Sequence, residues 1–290
     1  MSDYLVISIF AGSVVVALLL AAIALHALNA LGAFGKSLQN WLWHAPGLDL
    51  LVAFFTNLPW VAAVVVWWYY PSLPFESKPL NFGAYLLASI LAQMLALTLW
   101  SWGHEIWHGN ARRGPRIVKN LNSKVGAFRN HAAVWWTAWA VPLFTLIRIG
   151  EYFIYPPLTW LIRLPKYDDA QWVNVSRQKF NGLVGWDLIW CLYCDWMTGI
   201  WSLGSEMLRN VESFWCPIRF SSTNKCDNCS IDFPDVNTHW AKADGTMADV
   251  TAILDKQYPG PNGDNQWYSH PARLTINGKP HKAPSSTPKS

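Results

Sequence analysis

Four stretches of the chain stay apolar for the roughly 20 residues needed to cross a hydrocarbon core: about 5–28, 50–70, 83–103 and 132–155. A fifth, about 184–204, is more polar and rich in tryptophan. Each is too long and too continuous for a strand, so the pattern predicts membrane helices. The first run lacks the basic leader of a secretory signal and is long enough to span, which predicts a retained helix. Pro71, Pro74 and Pro79 exclude a helix through the second connection.

The stretch 132–163 is the ambiguous one. It contains Arg148, Glu151 and the pair Pro156-Pro157. It reads either as a tilted span ending near Tyr155 or as a broken, re-entrant element whose second half lies in the interface. The flanking loops, 112–129 and 163–179, are both basic. Placing both on the cytoplasmic side requires the chain to enter and leave on one face, which favours the re-entrant form.

Past residue 205 the pattern changes. Residues 205–277 carry Asn, Asp and Gly turns, one helical repeat in "TMADVTAILDKQY" and a short strand in "ARLTINGK". The tail 278–290 is rich in Pro and Ser and reads as disordered. The predicted fold is an all-α polytopic membrane protein of four to five segments over residues 1–204. A small extramembrane α+β module follows over 205–277.

Composition supports the membrane assignment. Charged residues are 14% of the chain, apolar residues 52%, and there are 20 tryptophans, a residue that gathers at membrane interfaces. Charge then adds one feature. Arg112, Arg113, Arg116, Lys119, Lys124 and Arg129 fall together with no acidic residue among them. Between apolar segments this predicts a cytoplasmic loop meeting anionic lipid. No nucleic-acid-binding motif accompanies it, so nucleic acid is excluded as a partner and the lipid bilayer is the expected one.

Three constellations offer chemistry. His104-Glu105-Ile106-Trp107-His108 is an H-E-x-x-H pattern, which on a helix turns both imidazoles to one face. They would bind zinc, or iron, with Glu105 as the catalytic base. The pattern supplies two ligands and a catalytic zinc usually takes three from the protein. The candidates for the third are His131, Asp187, Asp195, Glu151 and Glu206. A carboxylate-bridged di-iron site is excluded, because no second E-x-x-H unit exists. The bland reading is a set of polar residues at the head-group boundary.

The second constellation is a polar stripe along the fifth segment: Asp187, Cys191, Cys194, Asp195, Thr198, Ser202, Ser205 and Glu206 recur at helical steps. In a membrane such a stripe must face the protein interior or water. The third is cysteine spacing. Cys216, Cys226, Cys229 and His239 have the spacing of a tetrahedral structural zinc site that staples the small module. An iron–sulfur cluster, a disulfide or free thiols are the alternatives. Cys191 and Cys194 form a second C-x-x-C pair suited to thiol redox chemistry with a quinone.

Three functions follow as expectations. The first is a membrane metalloenzyme built on His104, Glu105 and His108. The second is a non-catalytic assembly or scaffold subunit that docks a membrane protein partner through the zinc module. The third is a quinone-linked thiol oxidoreductase using Cys191 and Cys194.

Overall fold

The computed structural model describes residues 3–72, 74–162, 166–180, 182–221, 240–257, 274–276 and 279–280. These are mostly helical. In chain order the helices begin with α1 (Asp3–Ala27), a 3-10 turn (Leu28–Leu31), α2 (Gly32–Leu42), α3 (Gly47–Thr56), α4 (Leu58–Tyr69) and α5 (Lys78–Trp107). Then come α6 (Gly109–Arg113), α7 (Ile117–Val125), α8 (Ala127–Thr137) and α9 (Ala140–Ile162). Strand β1 (Lys166–Tyr167), α10 (Asp169–Trp172), a 3-10 turn (Arg177–Lys179), α11 (Trp186–Trp215), α12 (Met247–Gln257), β2 (Leu274–Ile276) and β3 (Lys279–Pro280) complete the set. They fall into two compact units, Met1–Thr145 with Val173–Met197, and Leu146–Trp172 with Thr198–Ser290.

The core of the first unit follows from helical spacing. Val6, Phe10, Val14 and Leu18 step four residues at a time along α1 and pack against Tyr85, Ala92 and Ala96 of α5 and Ala63 of α4. The alanines let the helices approach closely, the usual means of packing where no water drives association. The opposite side of α1 is also apolar: Ile9, Val16, Leu20 and Ile23 are each more than half exposed. A stripe of that kind is what a bilayer covers.

Three helices are long and apolar enough to cross a membrane: Tyr4–Leu42, Lys78–Trp107 and Ala127–Ile162. The pair α3–α4, bent by 49°, makes a fourth if counted as one span. Two expectations change here. The fifth segment does not qualify, because its polar stripe lowers its hydropathy; it is the 30-residue helix α11. The sharp bend falls in the second segment, between α3 and α4, while Pro156 and Pro157 lie inside the continuous helix α9.

The break at Asn57 has a clear cause. Pro59 has no N–H, so it leaves the carbonyl of Phe55, four residues back, without its helical donor. The N–H of Trp60 bonds Asn57 instead of Thr56, which frees a second carbonyl. The Gln93 amide of α5 donates to both, at 2.9 Å to Phe55 O and 2.7 Å to Thr56 O. Its own oxygen accepts the Trp60 indole N–H at 2.6 Å. The break is thereby satisfied inside the protein, as it must be at membrane depth.

The second unit holds the later parts of α9 and α11 with α10, α12 and the strands. β1 pairs antiparallel with β2, and β2 with β3. The helix expected from "TMADVTAILDKQY" is α12, opened by a reciprocal cap. Thr246 N–H donates to Asp249 Oδ2 at 2.7 Å, and Asp249 N–H donates to Thr246 Oγ1 at 3.4 Å. These hydrogen bonds hold the Asp249 carboxyl below its ordinary value. A separate α+β module beginning at 205 is not supported: α11 runs through that position unbroken, and the strand β1 comes from before it.

Candidate functional site

The H-E-x-x-H pattern ends α5, and Asp187 opens α11. What joins them is Arg116. This arginine is buried and sits at the start of α7 with no side-chain cap from its own segment. Its Nε lies 2.6 Å from Asp187 Oδ2, and its terminal nitrogen donates to Glu105 Oε1 and to the Val184 carbonyl, both at 2.9 Å. Asp187 then accepts two backbone donors of α7, Ile117 N–H at 3.2 Å and Val118 N–H at 2.9 Å. Asp187 therefore caps a helix about 70 residues earlier in the chain, where a negative charge is favoured by the helix dipole. Burial alone would lower the Arg116 pKa, but the hydrogen bonds to Asp187 and Glu105 reverse that and hold it above its ordinary value.

Gly185 makes the closure possible. Its φ is +56°, a backbone region that L side chains rarely adopt. A Cβ there would lie 2.2 Å from Glu105 Oε1. Its N–H donates to His104 Nδ1 at 3.2 Å.

The same device appears a second time on α11. Asp195 Oδ2 accepts Ser176 N–H and Arg177 N–H, each at 3.0 Å, and Oδ1 pairs with Arg177 Nε at 2.8 Å. A hydrogen bond to the Cys194 sulfur, with Asp195 beside it, raises the Arg177 pKa. Cys191 and Cys194 are not joined in a disulfide and lie half buried on the stripe between the two aspartates.

These contacts change what the predicted metal ligands do. Asp187 and Asp195 are each held by an arginine and two backbone N–H groups. Glu105 is held by Arg116, with Arg112 at 3.8 Å. His131 packs its ring against Trp186 and Trp190 at 6.3 and 5.7 Å between centroids. Within the second unit Glu151 pairs with Arg148 at 2.7 Å, and Glu206 with Arg209 at 2.6 Å. Among the described residues no group of three or more His, Cys, Asp or Glu side chains is arranged to hold a metal ion. Cys216 is exposed, and Cys226, Cys229 and His239 lie outside the described residues.

The histidines do form a row. The rings of His104 and His108 stand 4.2 Å apart, and those of His26 and His104 stand 5.5 Å apart. His108 Nδ1 lies 3.0 Å from the His104 carbonyl. His26 Nε2 accepts the Trp100 indole N–H at 3.0 Å. With Nε2 accepting, the neutral His26 ring carries its proton on Nδ1.

His26 and Trp100 also line a cavity of about 340 Å³ within the first unit. Trp43, Trp135, Trp186 and Trp190 line it too. Two ring contacts stiffen its wall, Phe55 stacked on Trp100 at 5.3 Å and Trp135 edge-on to Trp186 at 5.5 Å. The polar lining includes Gln39 and Gln178, and Gln178 Oε1 is a buried acceptor with no hydrogen-bond partner among the described residues.

In the sequence Arg116 is one charge of a basic run, and His26 is one polar residue in an apolar one. A signal for Arg116 existed: "PRIVKN" starts a helix with no Ser, Thr, Asp or Asn at its cap, so the donors must be met from elsewhere. His26 had no local signal, because its importance comes from what α5 and α11 bring beside it. Comparison with protein-family profiles, with curated proteins and with solved structures finds no match to this chain.

Proposed function

We propose that this chain is a membrane-embedded binding protein for an apolar, ring-bearing molecule that dissolves in the bilayer. The cavity carries the reading. Its volume lies at the small end of the range for ligand sites, and its wall is aromatic with a few polar groups, the usual composition of such a site. His26 and Trp100 belong to two helices apolar enough to cross a membrane, so a ligand would arrive from the lipid phase. The His26 N–H offers a donor and Gln178 Oε1 an acceptor. That pair suits a ring bearing a hydroxyl or carbonyl group.

Under this reading the H-E-x-x-H residues are structural. Glu105 and Asp187 secure the basic loop through Arg116, and His104 supports the cavity wall beside His26. The test is extraction. Protein purified in mild detergent is treated with organic solvent, and the released molecules are counted by mass spectrometry in wild type and in Ala138→Trp, which fills the cavity. A ring-bearing species near one per chain, lost in the variant, is expected. Equal release from both proteins sinks the proposal.

A metal-dependent role for His104 and His108 is the competing reading, supported by their 4.2 Å ring separation. It expects bound metal that His104→Ala removes. Structural zinc at Cys216, Cys226, Cys229 and His239 rests on spacing alone, and metal lost in Cys226→Ser is its signature. Docking of a membrane protein partner rests on that module. Quinone-linked chemistry at Cys191 and Cys194 gains only the Arg177 contact, since the two thiols do not line the cavity.

A further inference from the structure

The loop that Arg116 secures has an amphipathic helix with no described protein partner for its apolar side. In α7, Ile117, Leu121 and Val125 recur every four residues and all three are exposed. Phe128, just beyond, is 85% exposed, and Trp107, at the end of α5, is 87% exposed. Around this apolar row stand Arg112, Arg113, Lys119, Lys124 and Arg129, all exposed. Arg116 is the exception among the loop's six cations, because it is spent inside the clamp.

The side of α7 that is covered is the other one. Asn130 of α8 donates to Asn122 at 2.8 Å and fixes the helix against α8. At its ends α7 is tied to two segments apolar enough to cross a membrane, Lys78–Trp107 before it and Ala127–Ile162 after it. Arg116, at its start, is bonded to Glu105 in the last turn of α5 at 2.9 Å, which holds α7 beside the end of that helix. An apolar row, cationic flanks and a position between two spans describe a helix lying in a lipid interface.

We infer that α7 docks on an anionic phospholipid surface, with Ile117, Leu121, Val125 and Phe128 among the acyl chains and the five exposed cations on lipid phosphates. The charge decides between lipid and protein as the occupant. No acidic residue lies anywhere from 106 to 150, so the patch has a uniform sign, complementary to a surface rather than to a mixed-charge partner. The lysine and arginine stems reach past the apolar row to the phosphate level, as long cationic side chains do at such boundaries.

The test uses the full chain in nanodiscs of phosphatidylcholine alone and of phosphatidylcholine mixed with phosphatidylglycerol. Amide hydrogen exchange is read over 117–128 at low and high salt. Exchange at least about tenfold slower in the phosphatidylglycerol discs, and relieved by salt, is expected from several cations held near a charged surface. Equal exchange in the two lipids overturns the inference and leaves a protein partner as the occupant. In Lys119→Gln/Lys124→Gln/Arg113→Gln the lipid dependence should fall away while peptides of α1 and α5 keep their wild-type protection. Persistence of the full effect in that variant also overturns it. The comparison of lipids is made on the unaltered protein, so a misfolded variant cannot decide the result.

Discussion

Gly185 has two reasons to be glycine, and they can be separated. The positive φ costs an L residue about 1–2 kcal/mol, and a Cβ also collides with the carboxylate that holds Arg116. Gly185→Ala should therefore lower stability by about 2–4 kcal/mol, read as thermal unfolding in detergent. Adding Glu105→Ala to that variant should cost little more, because the alanine has already displaced Glu105. Fully additive losses would show that the contact is not made. Arg116→Met leaves Asp187 buried without its cation and should cost about 3–5 kcal/mol. Arg116→Lys should recover only part of this, since a lysine cannot bridge Asp187, Glu105 and Val184 together. From the sequence, Asp187 was visible as a residue needing a partner, through its place on the stripe. Which partner it takes was not visible, because the choice between a metal and an arginine is made by chain 70 residues away.

At the scale of elements, the apolar runs were legible and their interruptions were not. The run 50–70 reads as one straight span, yet it contains Pro59 in plain view. Pro156-Pro157 drew the expectation of a broken segment, and α9 passes through both. Whether a proline breaks a membrane helix depends on whether another side chain can take the freed carbonyls, and for Pro59 that side chain is Gln93. Gln93→Leu should strand two part-buried carbonyls and the Trp60 indole, each costing about 1–3 kcal/mol, for a loss of several kcal/mol in thermal unfolding. Gln93→Glu keeps one acceptor and removes the donors, and should be no better. Helix α12 offers a milder test. Asp249 has its folded pKa depressed by Thr246, so its contribution is present above the unfolded value and is lost as pH falls through the folded one. Amide exchange in the first turn of α12 should quicken over that acidic range, and Asp249→Asn should flatten the response.

Across the whole molecule, fold class was readable in outline: mostly helical, with three or four helices apolar enough to cross a membrane. Polarity rises past 205, yet α11 continues unbroken to Trp215, with Ile200, Leu203, Met207 and Asn210 buried along it. In the second unit two buried ion pairs lie within single helices, Arg148 with Glu151 along α9 and Glu206 with Arg209 along α11. The sequence shows such pairs, yet nothing in it says that they are buried. Buried pairs of this sort depend strongly on each partner. Glu206→Ala should be markedly more damaging than loss of the exposed Arg113, by about 3–5 kcal/mol against a few tenths.

The bond between Gln93 and the α3–α4 break also bears on how the chain enters a membrane. Until α5 has been synthesised and laid beside it, the pair α3–α4 carries two peptide oxygens that lipid cannot satisfy. The second hydrophobic segment should therefore wait at the insertion machinery and leave for the bilayer together with α5. Nascent chains ending before residue 93 should stay extractable by alkali, those extending past Trp107 should resist it, and Gln93→Leu should prolong the wait even in the longer chains.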